Sequence, residues 1–212
     1  TFIGFAALGS PQTLGVQTAF AYSNDLAAPT AAGCQPGWTC TTHLSRTFVG
    51  RTFESAAEKP NRLRWSHPGR PNDWRQIDFV DIGDAGEHIT ALFPFGDHLV
   101  IFTDRSMYAM FGQEPDDFQV RPISRVVGVP NPQCVAASPS RLFFWSESEG
   151  VYSYDGSSVR YLFDKLRPAL LTGRMEELTP GQMAWADGRL YVPVTLDGLH
   201  RTLVLDPTLG RQ

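Results

Sequence analysis

The chain of 212 residues carries a formal net charge of -4 and is 42% hydrophobic but only 19% charged, a globular composition that excludes a highly charged, disordered segment. That balance argues against a broad basic face for nucleic acid, and no run of about 18 apolar residues is available to span a membrane as a helix. With 19 Gly and 16 Pro the chain must turn often, which favours short strands over long helices.

Residues 1–43 are rich in Ala, Thr, Gly and Pro and read as an N-terminal arm or a set of closing strands. Phe2-Ile3-Gly4-Phe5 and Gly15-Val16-Gln17-Thr18-Ala19-Phe20 are its candidate strands, and Ala27 to Gly37 its loop. Thr1 is not an initiator Met and no basic signal-peptide opening follows it, so a piece of a longer chain is expected.

From Leu44 the pattern becomes regular. A first, weak copy runs through Thr47-Phe48-Val49, a turn at Gly50, Arg51-Thr52-Phe53 and then Arg62-Leu63-Arg64-Trp65. The second copy is Ile89 to Phe95, a turn at Gly96-Asp97, His98 to Thr103, a turn at Asp104-Arg105, and Met107 to Gly112. Phe118 to Ile123 supplies its outer strand, with Pro122 suited to an edge because proline cannot donate to a central ladder. The third copy runs from Cys134-Val135-Ala136-Ala137 through a Pro139-Ser140 turn, Arg141 to Trp145, Gly150 to Gly156 and an outer strand at Val159 to Phe163. Gln182 to Trp185 opens the fourth, which turns at Asp187-Gly188 and Asp197-Gly198, the strongest short hairpin signal.

Arg51, His98, Arg141 and Arg189 open the second strand of each copy at intervals of 47, 43 and 48 residues. Periods in the forties with four strands apiece point to β-propeller blades, here 44–86, 87–131, 132–180 and 181–212, forming a complete or fragmentary propeller over 44–212. One such sheet cannot bury both of its faces, so blades stack. A β-sandwich with evenly spaced hairpins is the alternative. Leu99, Ile101, Leu142, Phe144, Leu190 and Val192 are expected to be buried by period-two alternation. Apolar Leu166, Leu170, Leu171, Met175 and Leu178 suggest one short helical insertion over 164–178.

Two passages, Asn61 to Trp74 and Ile89 to Tyr108, together with Ser148 to Gly156, resemble in order three passages of propeller-containing tail proteins of tailed double-stranded DNA phages, including tail-tube nozzle proteins. The likeness covers roughly residues 44 to 160 and departs at Arg64 and His67, where that family usually carries an aromatic and an acid. It implies a non-enzymatic structural component of a phage tail (tube, nozzle or hub) found in the virion and assembled in the host cytoplasm. The implied partners are further copies in a ring, other tail or connector proteins, and DNA in transient passage without sequence-specific binding.

No catalytic, cofactor-binding or metal-ligating residue is assigned from the sequence, and no cofactor is expected. Ser146 and Ser148 lie near Glu147 and Glu149 without a nucleophile elbow, and His43, His67, His88, His98 and His200 form no HExxH pair. Asp81 to Glu87 offers three carboxylates to calcium but misses the EF-hand spacing, so a loop between blades is the simpler reading. Arg62, Arg64, Arg70 and Arg75 are a candidate basic patch or a solvated turn. Cys34 and Cys40 bracket a five-residue loop they could close by a disulfide, whereas Cys134 is expected to remain a thiol. Phe143, Phe144, Trp145, Tyr152 and Tyr154 are either core or a stacking platform for sugars or bases. The alternative to a tail component is therefore a glycan-binding or glycan-cleaving propeller of a host-recognition device, and a further one is a non-viral propeller scaffold.

Overall fold

The computed structural model describes residues 36–54, 57–146, 150–162, 182–196 and 199–206. These residues form four antiparallel sheets, each a meander in sequence order, so the fold is all-β and propeller-like. The first blade holds β1 (Gly37–His43), β2 (Arg46–Glu54), β3 (Ala57–Trp65) and β4 (Phe79–Asp81), the second β5 (Ile89–Phe95), β6 (His98–Thr103), β7 (Met107–Phe111) and β8 (Gln119–Ser124). The third holds β9 (Val135–Ala137), β10 (Leu142–Ser146), β11 (Gly150–Tyr154) and β12 (Val159–Tyr161), and the fourth, among the described residues, β13 (Ala184–Ala186), β14 (Arg189–Leu196) and β15 (Leu199–Leu205).

Turn chemistry explains the hairpins. Gly96 takes φ 60 ahead of Asp97, as the first position of a type II′ turn requires. Asp187 and Gly188 both take positive φ, 50 and 74, the signature of a type I′ turn whose twist matches its strands. The turns at Asp104-Arg105 and Pro139-Ser140 also fall where expected. The Asp197-Gly198 turn, the candidate strands at residues 2–5 and 15–20, and the 164–178 insertion lie outside the described residues.

Two expectations for the first blade are corrected. Residues 37–43 are not part of an arm: they form β1, which pairs with β2 from Gly37↔Thr52 to His43↔Arg46. Gly50 is not a hairpin turn either, because β2 runs unbroken from Arg46 to Glu54. Arg51 takes φ 55 there, and the pairing with β3 slips between Gly50 and Thr52, a β-bulge that bends the strand without reversing it. The reversal lies upstream, at Leu44 and Ser45, with φ 49 and 58. Neither residue advertises a left-handed turn.

The core consists of the seams between blades. β6 is buried along its whole length because alternate side chains serve different neighbours. Leu99 and Ile101 join Phe48, Leu63 and Trp65 of the first blade, whereas Val100 and Phe102 join Phe144 and Leu142 of the third. β10 repeats the device: Phe144 meets Phe102, and Phe143 stacks on Trp185 of the fourth blade with ring centroids 5.1 Å apart and planes 15° from parallel. All six residues expected in the core are buried; on β6 and β10 the neighbours on the opposite face are buried too, whereas on β14 Tyr191 and Pro193 are half-buried. The five aromatics weighed as a stacking platform are core as well.

Candidate assembly surface

The arginine-rich passage is neutralised from within. Arg62 Nε and Nη2 donate to the two carboxylate oxygens of Asp81 at 2.8 and 3.0 Å, and Nη1 donates to Glu54 Oε2 at 2.9 Å. Its guanidinium lies 3.8 Å above the Phe79 ring. Arg64 reaches Glu54 Oε1 at 3.4 Å and the Arg75 carbonyl at 2.7 Å, while Arg75 itself donates to Asp78 at 2.9 Å. Arg70 lies 3.9 Å from Asp73. Hydrogen bonds from Arg62 hold the Asp81 carboxyl below its ordinary range. Burial pushes Glu54 up, but hydrogen bonds from Thr52 and Arg62 and the Arg64 charge outweigh it, so this carboxyl too is held low. Each candidate cation therefore has an acid within reach, although the Arg70 and Arg75 side chains remain exposed.

The acidic passage disperses instead of converging. Asp81 is taken by Arg62. Glu87 is buried on the other side, accepting from Thr103 Oγ1 at 2.7 Å and from the Tyr108 hydroxyl at 3.1 Å. Among the described residues no group of three or more His, Cys, Asp and Glu is placed to hold a metal ion. Glu147, Ser148 and Glu149 lie outside the described residues, and Ser146 is buried on β10.

The structure assembles one cluster that sequence spacing did not reveal. His98 at the start of β6 is buried, with Nδ1 2.9 Å from Asp97 Oδ1 and Nε2 3.1 Å from the Tyr154 hydroxyl of the third blade. Tyr154 in turn donates to the Gly156 carbonyl at 2.9 Å. His43 of the first blade is buried within electrostatic reach of His98 and Asp97, and its Nε2 has no partner among the described residues. Burial and then the His98 charge lower the His43 pKa, with Asp97 opposing. His67 and His88 sit elsewhere: His67 beside the Pro68 carbonyl, and His88 3.7 Å from Asp104, while His200 lies on β15. Among the thiols, Cys134 is buried and 3.5 Å from Asn131 Oδ1, and Cys40 is exposed on β1, while Cys34 lies outside the described residues.

Among the described residues, neither buried cluster joins the first sheet to the fourth. On the first blade the cross-strand row Cys40↔Val49↔Arg64↔Phe79 lies on the face opposite Thr39 and Gly50, which turn toward Ile89 of the second blade. Trp38, 52% exposed, and Phe79, 37% exposed, stand on this outward face beside the paired arginines. Arg51 lies 4.5 Å above the Trp38 ring and pairs with Glu58. On the fourth blade Leu190, Val192 and Val194 point into the core. Tyr191, Pro193, Thr202 and Val204 alternate with these on an outer face that also carries Arg189 and His200, and Val204 there is 51% exposed.

No family model matches the chain, and no curated protein does. Among solved structures it is similar to the computationally designed Ika4 protein, at 10% identity and a TM-score of 0.49 over 82% of this chain and 92% of that one. The extracellular domain of the hybrid two-component system BT4673 from B. thetaiotaomicron aligns at 11% identity and a TM-score of 0.46, over 80% of this chain but 20% of that one. Myxococcus xanthus glutaminyl cyclase aligns at 14% identity and a TM-score of 0.39, over 82% of this chain and 75% of that one.

Proposed function

We propose that this chain is a structural subunit of the tail of a tailed double-stranded DNA phage, in its tube, nozzle or hub, acting by assembly and without turnover. The observation that carries the reading is the placement of the tail-like passages. Asn61 to Trp74 closes β3 and folds into the loop pinned by Trp74, which is buried and donates to the Pro71 carbonyl at 2.6 Å. Ile89 to Tyr108 builds β5, β6 and the start of β7, and Ser148 to Gly156 covers β11. Each passage thus helps build a successive blade, in the order in which the tail proteins carry them. The self-neutralised arginines support a second part of the reading. Tight phosphate binding needs Lys or Arg charge that is not already paired, and a conduit for DNA works best without such grip. The aromatics that would offer sugars a stacking platform are occupied in the core.

The test uses the full 212-residue chain. Negative-stain imaging of the purified, concentrated protein is expected to reveal closed rings of identical copies, and a short duplex at physiological salt is expected to bind no better than the weak end of the non-specific range, about 0.1 mM. A protein that stays monomeric and binds or cleaves an oligosaccharide would replace this reading with the glycan one.

A further inference from the structure

We infer that residues 112–118, which join β7 to β8, form a strap over the Leu44-Ser45 end of the seam between the first and second blades, with Arg46 and Glu114 as its catch. The strap opens on its own while the blades stay folded. The device is intramolecular and independent of the assembly reading.

The strap is built to move as a unit. Gly112 takes φ 112, and an added Cβ there would stand 2.6 Å from the Asp117 carbonyl oxygen, so glycine is what lets the chain fold back this closely. The Asp117 carboxylate accepts from the Gln113 and Glu114 amides at 2.9 and 2.8 Å, and the Asp117 amide donates to the Glu114 carbonyl at 3.0 Å. These bonds lie within the strap and need not break when it moves. Its grip on the first blade is of another kind. The Glu114 carboxylate accepts from Arg46 Nη2 at 2.5 Å. The half-buried Phe118 ring stands T-shaped on Trp65, with centroids 5.1 Å apart, and tilted on Phe48 at 6.2 Å.

The groups beneath the strap favour opening. His43, Arg46, Phe48 and Trp65 share one face of the first sheet, as the registers His43↔Arg46 and Phe48↔Trp65 require. Among the described residues, three of the four buried side-chain atoms without a hydrogen-bond partner belong to this group: His43 Nε2, Arg46 Nε and Trp65 Nε1. The fourth, Arg64 Nε, is also on the first blade, so the later seams hold none. An orphaned buried polar atom destabilises the closed state, and water relieves it on opening. The catch opposes this weakly. The Arg46 side chain is 3% exposed but that of Glu114 is 68% exposed, which leaves one half of the pair hydrated and open to screening by salt. Arg46 Nη1 keeps the Ser66 carbonyl at 3.2 Å in either state, because Ser66 belongs to the first blade.

The experiment follows solvent exchange of the indole N–H protons in the full chain by NMR, comparing Trp65 with Trp145, which is 2% exposed on β10. Trp65→Phe assigns the first signal. Trp65 is expected to exchange at least about tenfold faster than Trp145, as local opening ahead of global unfolding requires. Raising the salt from about 0.1 M to about 1 M, which shortens the screening length from about 10 Å to about 3 Å, is expected to increase that ratio. Glu114→Gln and, as a second version, Phe118→Leu are expected to increase it severalfold at the lower salt. The wild-type comparison and its salt series decide the matter even where a variant folds poorly. Equal exchange of the two indoles in wild type would overturn the proposal, because the seam would then open only with the whole fold. Salt or variants that speed both indoles equally would overturn it too, since Glu114 and Phe118 would then be ordinary stabilising contacts. A fast Trp65 that ignores salt and both variants would remove the strap as its cause.

Discussion

Phe102 on β6 and Phe144 on β10 meet across the seam between the second and third blades, with ring centroids 5.0 Å apart and planes inclined by 57°. Both rings are fully buried, and Phe144 also stacks on Tyr152 of its own blade at 5.8 Å. The pair therefore couples two sheets that share no strand pairing. Phe144→Ala is expected to cost about 3–5 kcal/mol, the usual range for deleting a buried ring. Phe102→Ala should cost a similar amount. In denaturant unfolding the double variant should lose about 1 kcal/mol less than the two single losses combined, the coupling expected of a tilted aromatic pair. Strict additivity would mean that the seam does not depend on this contact.

Leu44 and Ser45 both occupy the left-handed region at the β1–β2 turn, where side chains other than Gly, Asn and Asp are strained. Ser45→Gly is therefore expected to stabilise the protein by about 1 kcal/mol, and Leu44→Asn to act in the same direction. The backbone contact that the turn makes, from the Gly69 amide to the Ser45 carbonyl at 2.7 Å, does not involve either side chain. A lower melting temperature in Ser45→Gly would show that the side chain does more than tolerate the turn.

Comparison of this turn with the one at Asp187-Gly188 explains what was legible in the sequence. Asp187-Gly188 was readable because its geometry follows from local residue chemistry, and the same holds for Gly96-Asp97 and for Pro122 on an edge strand. Leu44-Ser45 was hidden because the turn is imposed by the pairing of β1 with β2 against the preference of its residues. Gly50-Arg51 misled for the converse reason: a glycine that looks like a turn allows close packing on Ile89, whose Cγ2 would stand 2.7 Å from an added Cβ. Apolar runs such as His98 to Thr103 located the strands but not their neighbours, since a strand buried on both faces carries no mark of which side chain meets which blade. The meeting of His43 with His98 and Asp97 belongs to that second class. It depends on a seam between blades, and no local spacing encodes it.

Two glycines give opposite expectations for one substitution. At Gly128 a Cβ would stand 2.4 Å from the Thr103 carbonyl oxygen and 2.4 Å from the Arg105 amide nitrogen. Both are backbone atoms of the β6–β7 hairpin, which is tied to this segment by the Val129 amide donating to the Thr103 carbonyl at 3.0 Å. Neither side can yield cheaply, and Gly128→Ala is expected to destabilise by about 1–3 kcal/mol. At Gly86 nothing lies within 4 Å of the added carbon and φ is not in the left-handed range. Gly86→Ala should be neutral or stabilising by about 0.4–1 kcal/mol, through the unfolded chain it restricts. Thermal unfolding of the two variants side by side checks both signs.

Buried His43 is expected to make the seam between the first two blades sensitive to acid. Its register partner across the β1–β2 hairpin is Arg46, whose guanidinium is held by Glu114 at 2.5 Å and by the Ser66 carbonyl at 3.2 Å. His98 lies on the facing blade, and the exposed Asp97 carboxylate is the one group there that favours a charged imidazole. With burial and His98 acting against protonation, the folded-state pKa lies below the unfolded value of about 6.5. The folded protein therefore binds fewer protons than the unfolded chain once the pH falls below about 6.5, and stability declines as the pH drops through that window. The decline ends below the folded-state pKa, where both states carry the proton. His43→Leu removes the group and this part of the slope, so the stability of the variant relative to wild type is expected to rise from about pH 7 to about pH 5. Asp97→Asn removes the opposing charge and should steepen the wild-type decline. Denaturant midpoints measured across that range decide the matter: a constant offset between wild type and His43→Leu would place the acid sensitivity of this protein elsewhere.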